Sequence, residues 1–191
     1  MGAVPSPSVT SMQAPALGGL ALALAAFSWW AWPDLLIDFG REAYVPWRIA
    51  EGERLYADLA YFNGPLSPHV NALAFAVFGP GLAVLFALNA AVAALLAWQI
   101  HRLTRLLADT SSAFVCTAVF LALFAFGHLV SIGNYNYLAP YSHELTHGLL
   151  LLALLMGLLH RHLRDGSASI PLGLCLGLAF LTKAEIFLAA A

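Results

Sequence analysis

The chain has 191 residues, of which 61% are hydrophobic and only 9% charged, with a formal net charge of −2. Soluble domains carry about 25% charged residues, so an ordinary water-soluble domain is excluded. Several apolar runs of near-span length point instead to a polytopic membrane protein. The slightly acidic balance gives no electrostatic footprint for nucleic acid, and no nucleic-acid partner is expected.

Residues 1–15, MGAVPSPSVTSMQAP, are rich in Pro and Ser and carry no charged side chain. They read as a disordered cytoplasmic tail. No basic segment precedes the first apolar run, so Ala16 to Trp32 reads as an uncleaved span rather than a signal peptide. Trp29, Trp30 and Trp32 form an aromatic belt at its outer end, and Pro33 closes it.

Residues 33–80 form a long first outer loop. Asp34, Asp38 and Glu42 are spaced i, i+4, i+8, which places them on one face of a helix. Leu35, Leu36, Phe39, Ala43 and Trp47 line an apolar side, as in a segment lying on a bilayer. Pro46 is expected to interrupt or kink it, and Gly52 to stop it. Asn63-Gly64-Pro65 is a turn. Ser67-Pro68 then reads as an N-cap and first helical residue. The helix it starts, His69 to Phe78, is too short for ~30 Å of hydrocarbon at ~1.5 Å per residue, so it is a second interfacial helix.

Leu82 to Ile100, Ala113 to Val130 and His143 to Leu159 are the next spans, and a fifth begins at Ile170. The short loops His101–Ser112 and Arg161–Ser169 each hold two arginines, Arg102 with Arg105 and Arg161 with Arg164. The positive-inside rule makes their side cytoplasmic. The N-terminus is then cytoplasmic, and the first loop and the second outer loop, 131–142, face outward. The expected fold is all-α, with about five transmembrane helices and two interfacial helices in the first outer loop. Residues 16–191 form one incomplete transmembrane domain. The final apolar run has no cap or turn residue, so the chain is expected to be a fragment of a longer protein. Cys116 and Cys175 both lie in apolar runs, where a thiol acts as a small hydrophobe.

The first loop, from Asp34 to Phe78, holds nine of the chain's 18 Asp, Glu, Lys and Arg residues. A second polar constellation is His143-Glu144-Leu145-Thr146-His147. This is the HExxH pattern, in which two imidazoles on one helix face bind zinc and the Glu acts as base. His128 or His69 is the candidate third ligand. The bland alternative is polar residues starting a helix. Asp58 reads as a residue that orders the loop through backbone N–H groups. Lys183 and Glu185 read as an ion pair within the membrane, where charges are costly and functional by default.

The run DFGREAYVPWRIAEGERLYADLAYFNGPLSP resembles the first loop of the GT-C glycosyltransferase superfamily. The bacterial members of the protein O-mannosyltransferase and aminoarabinose-transferase type (glycosyltransferase family 39) are the most similar. The matching elements are Asp38, Tyr44, Gly52, Leu55-Tyr56, Asp58, Gly64-Pro65-Leu66 and Phe78-Gly79. NYNYLAPYSHE resembles the second outer loop, and GLCLGLAFLTKAE the fifth span. The resemblance implies a membrane enzyme of the cell envelope, in a bacterial inner membrane with its active site facing outward. It implies a polyprenyl-phosphate sugar as donor and a protein, lipid or glycan as acceptor. It implies inversion at the anomeric carbon, with Asp38 as base and Glu42 beside it. His143 and Glu144 form a second-loop site, with a divalent metal at Glu144, His143 and His147 left open. Arg41 and Lys183 are candidates for the leaving lipid phosphate, and Arg48 is a further one. Relatives often place Lys or His before the turn where this chain has Asn63-Gly64. The alternatives are an intramembrane zinc metalloprotease on the HExxH pattern and a non-enzymatic transporter.

Overall fold

The computed structural model describes residues 9–36, 38–127 and 135–191, with side chains from residue 13 onward. The described chain is all-helical, 73% helix with no strands. The helices are α1 (Val9–Phe27), α2 (Phe39–Ala50), α3 (Leu66–Phe78), α4 (Leu82–Leu107), α5 (Thr110–Val119), α6 (His143–Asp165), α7 (Ser169–Phe180) and α8 (Ala184–Ala190). A π-helical segment, Phe120–Ala125, continues α5. Two helices, α4 and α6, are long and apolar enough to cross a membrane, with mean hydropathies of 2.0 and 1.3 over their most apolar windows. The apolar stretches Gln13–Phe27, Thr110–Ala125 and Ser169–Phe180 stand where the other spans are expected, but are shorter.

The long helices run further than their apolar patterns predict. The expected loop at His101–Ser112 is helical as far as Leu107, and the break comes at Ala108. Asp109 then caps α5, accepting from the Ser112 N–H at 2.7 Å. The loop at Arg161–Ser169 likewise shrinks, because α6 continues to Asp165 and ends on left-handed Gly166. Arg and His suit a last helical turn, whose free carbonyls carry partial negative charge, so basic residues extended these helices rather than ending them. At the N-terminus, α1 starts at Val9, so the expected tail is helical from that residue on.

Other expectations are corrected at the first loop. The helix α1 ends at Phe27, ahead of the tryptophans. Trp29 and Trp30 are exposed, but Trp32 turns inward and donates from its indole to Ser28 Oγ at 2.8 Å. It joins Phe39, Phe75, Leu85, Phe86, Leu138 and Ala139 in an apolar cluster at this end of the molecule. Asp34 and Asp38 do not share a helix face with Glu42, because α2 begins only at Phe39. Leu35 and Leu36 are exposed, while Phe39 is fully buried. Pro46 lies inside α2 without ending it. Ser67 does not cap α3, which starts one residue earlier after Pro65, and its hydroxyl is buried without a partner.

The long helix α4 packs against α5 on one side and α6 on the other, and α6 also packs on α7, α8 and α3. A second apolar cluster, including Leu96, Ala97, Phe120 and Leu121, fills the middle of this bundle. The expected fifth span is two helices with a break at Leu181–Lys183. Gly148 lets α8 approach α6 closely. A Cβ there would lie 2.7 Å from Ile186 Cγ1.

A candidate active site where the first loop meets the start of α6

The break between α7 and α8 is the anchor for the first loop. A broken helix leaves carbonyls without intrahelical donors. Here the Leu181 carbonyl accepts from Leu66 N–H at 2.9 Å, and the Thr182 carbonyl from Gly64 N–H at 2.8 Å. The fit requires glycine, since a Cβ on Gly64 would stand 2.2 Å from the Leu181 carbonyl oxygen. Tyr56, at φ 69°, secures the preceding turn by donating from its hydroxyl to the Asn63 carbonyl at 2.6 Å. Asp58 orders the same loop by accepting from the Arg54 N–H at 2.9 Å and from its guanidinium.

The second loop is tied down in turn. Its residues 131–134, with His128 just before it, lie outside the described residues. Asn136 donates to the Trp32 carbonyl at 3.0 Å and accepts from the N–H groups of Leu138 and Ala139. Tyr137 N–H donates to the Ala125 carbonyl at the end of the π-helical segment, at 3.0 Å. These bonds bring the first turn of α6 against α2.

Glu42 and His143 meet there, 101 residues apart in sequence. Glu42 Oε2 accepts from the His143 backbone N–H at 2.9 Å and from its ring Nδ1 at 2.7 Å. Glu42 Oε1 accepts from Arg41, at 2.7 Å from Nη2 and 3.1 Å from Nε. Asn89 Nδ2 lies 3.0 Å from His143 Nε2 and donates to the Leu138 carbonyl at 2.9 Å. An amide NH2 only donates, so His143 Nε2 accepts and the proton sits on Nδ1, facing Glu42. These two contacts fix the orientation of the ring. Burial pushes the Glu42 carboxyl up, but the His143 bonds and the Arg41 guanidinium outweigh this and hold it below the usual carboxylate range.

The three acids here differ in what remains free. Both oxygens of Glu42 are filled, so Glu42 holds its neighbours in place. Glu144 is fully buried. Its Oε2 accepts from the Ser142 hydroxyl at 2.6 Å, while Oε1 has no partner. Its electrostatic neighbours are Glu42, Arg41, Lys183 and Tyr56. Asp38 is exposed, precedes α2 with a φ of 61°, and makes no capping bond with its side chain. It lies within electrostatic range of Arg41. Arg41 also donates to the Tyr141 carbonyl at 3.3 Å and lies over the Phe62 ring. Lys183 sits at the α7–α8 break, 3.9 Å from Glu185. Arg48 stands apart from this group, paired with Glu51 and Glu53.

Of the sequence candidates, the structure therefore gathers Arg41, Glu42, His143, Glu144 and Lys183, with Asp38 at the edge. His147 lies behind His143, ring centroids 5.8 Å apart, with its buried Nε2 unpartnered. Among the described residues no three His, Cys, Asp or Glu side chains stand together as a metal-ligand set. Both ring nitrogens of His143 already have partners, and His69 is exposed and bonded to the Pro65 carbonyl. These donors do not fit a zinc site as arranged.

Sequence reasoning missed Asn89, Asn136 and Thr182. The signal for Asn89 was present, because it is the one polar residue in the run from Leu82 to Trp98, and a lone polar group in an apolar run of span length is a candidate by default.

Beside the cluster, an open apolar groove of about 470 Å³ runs between α2 and the start of α4, lined by Ala43, Tyr44, Trp47, Phe75 and Leu82. No protein-family model, curated protein or solved structure matches the chain.

Proposed function

We propose that the chain is the catalytic part of a membrane glycosyltransferase that moves a sugar from a polyprenyl phosphate to an acceptor hydroxyl or amine with inversion. One observation carries this reading. Two carboxylates with unfilled oxygens, Asp38 and Glu144, lie with Arg41 and Lys183 at one end of an apolar bundle. A transferase working on a lipid phosphate needs these two kinds of group at a lipid–water boundary. Asp38 takes the proton from the acceptor as it attacks the anomeric carbon, and the bond to the lipid phosphate breaks. Arg41 and Lys183 take up the negative charge of the leaving phosphate. Glu42 and Asn89 are positioning residues that hold Arg41 and the start of α6. In this reading the chain crosses the membrane about five times and the site faces outward. No step requires a metal.

The test is Asp38→Asn in the full-length protein, assayed for sugar transfer from the lipid donor. Transfer should fall by roughly 10²-fold or more, the usual loss for a general base. Turnover equal to wild type removes Asp38 from the mechanism.

The break at Leu181–Lys183 favours a second reading, since transporters bind ions at interrupted helices. A transporter would move solute across sealed vesicles with the Asp38→Asn change in place and would release no polyprenyl phosphate.

A further inference from the structure

At the far end of the bundle, a groove of about 270 Å³ lies between α4, α6 and α7. Its walls are apolar, with Leu154, Leu174 and Leu178 among them, and its polar lining is Gln99, Arg102 and Arg161. Gln99 is 1% exposed, and its Nε2 is buried without a partner. Its Oε1 is taken by Arg102 Nη1 at 3.4 Å. The Arg102 guanidinium lies over Trp98 and against Gly157, where a Cβ would come within 3.6 Å of it. Among the described residues, neither Arg102 nor Arg161 pairs with a carboxylate. The acids of this end are engaged elsewhere: Asp109 caps α5, and Asp165 accepts from Ser167 N–H and Arg164.

The polar end of this groove therefore offers donors only, from one buried amide and two guanidiniums, and the rest of it is greasy. A buried amide NH2 without an acceptor is unfavourable, so the site lacks an acceptor-rich group. The ligand that matches is an anion on an apolar chain. We propose that this groove binds an anionic glycerophospholipid of the adjacent leaflet. Its phosphate is held by Gln99, Arg102 and Arg161, and an acyl chain lies along α6 and α7. The proposal rests on α4 and α6 being membrane helices and is independent of the transferase reading.

The test uses the full chain, delipidated in neutral detergent and followed by native mass spectrometry. Dioleoylphosphatidylglycerol, dioleoylphosphatidylcholine and inorganic phosphate are the probes. Phosphatidylglycerol should be retained roughly ten-fold more tightly than phosphatidylcholine, the worth of about one charge-assisted contact. Arg102→Ala with Arg161→Ala should abolish the preference, and Gln99→Leu should weaken it. Arg105→Ala with Arg164→Ala should leave it unchanged. Arg161 is exposed, so Arg161→Ala alone tests the site without disturbing the packing, and it too should reduce the preference. Equal retention of the two lipids overturns the proposal. So does an equal loss in the Arg105/Arg164 variant, which would indicate diffuse surface charge. Displacement of the lipid by equimolar inorganic phosphate also overturns it, since the site would then be one for free phosphate.

Discussion

Glu42 illustrates how a single side chain organises this site. Its two oxygens accept from the His143 backbone, the His143 ring and Arg41, so four donor atoms depend on one carboxylate. Glu42→Gln replaces one oxygen with an NH2 that faces donors. The variant should lose about 1–3 kcal/mol, read as a lower melting temperature in detergent. The pH dependence follows from the depressed carboxyl. A depressed acid contributes stability that is fully present above its unfolded value, near 4.5, and is lost as pH falls through its folded value. Melting temperature should therefore drop as pH is lowered below about 4.5, and Glu42→Gln should flatten that acid limb. Asn89 belongs to the same unit, since it sets which nitrogen of His143 carries the proton.

Among the elements, the broken helix α7–α8 does most to position the site. An unbroken span through residues 181–183 would satisfy its own carbonyls and leave the first loop without an anchor. Gly64→Ala tests this. The added methyl would meet backbone rather than a movable side chain. The change should release the loop and make the chain near Tyr56 and Asn63 more susceptible to limited proteolysis, while α4 and α6 stay protected. Unchanged cleavage would mean that the loop is held by other contacts. The break itself was not legible in LGLCLGLAFLTKAEIFLAAA, which reads as one apolar run. Thr182, Lys183 and Glu185 hint at it, but the break depends on carbonyls being claimed from residues 64 and 66. The π-helical turn at Phe120–Ala125 was equally hidden, because its extra carbonyl is used by Tyr137 across the fold.

For the whole molecule, the apolar runs and the Gly-Pro punctuation were enough to locate α1 to α6 among the described residues, but not the division of the last run into α7 and α8. The cores of α4 and α6 were legible because almost nothing polar interrupts them. Their ends were not, because the basic residues of His101 to Leu107 and His160 to Asp165 read as loop, yet positive charge suits a helix C-terminus. The candidate site was legible residue by residue, but not as pairs. Asp34, Asp38 and Glu42 suggest one helical face, whereas only Glu42 lies on α2, and its partner is on α6. Orientation is testable at this scale. Cys116 is exposed and Cys175 buried, so Cys116→Ala gives a suitable background. Leu36 and Leu163 are 96% and 77% exposed at opposite ends of the fold. In sealed cells, Leu36→Cys should react with an impermeant maleimide and Leu163→Cys should not. The reverse pattern would put the acids on the wrong side for the proposed donor.

The pairing of residues 64 and 66 with the carbonyls of 182 and 181 has a temporal corollary. During synthesis the N-terminal partners emerge long before the C-terminal ones exist, so the amides of Gly64 and Leu66 must wait, hydrated, while more than a hundred residues are added. The acid-bearing segment is then among the last parts to settle, although it is among the first to be made. A ribosome stalled short of residue 181 should display α2 and α3 still open to protease, and one stalled well beyond it should not.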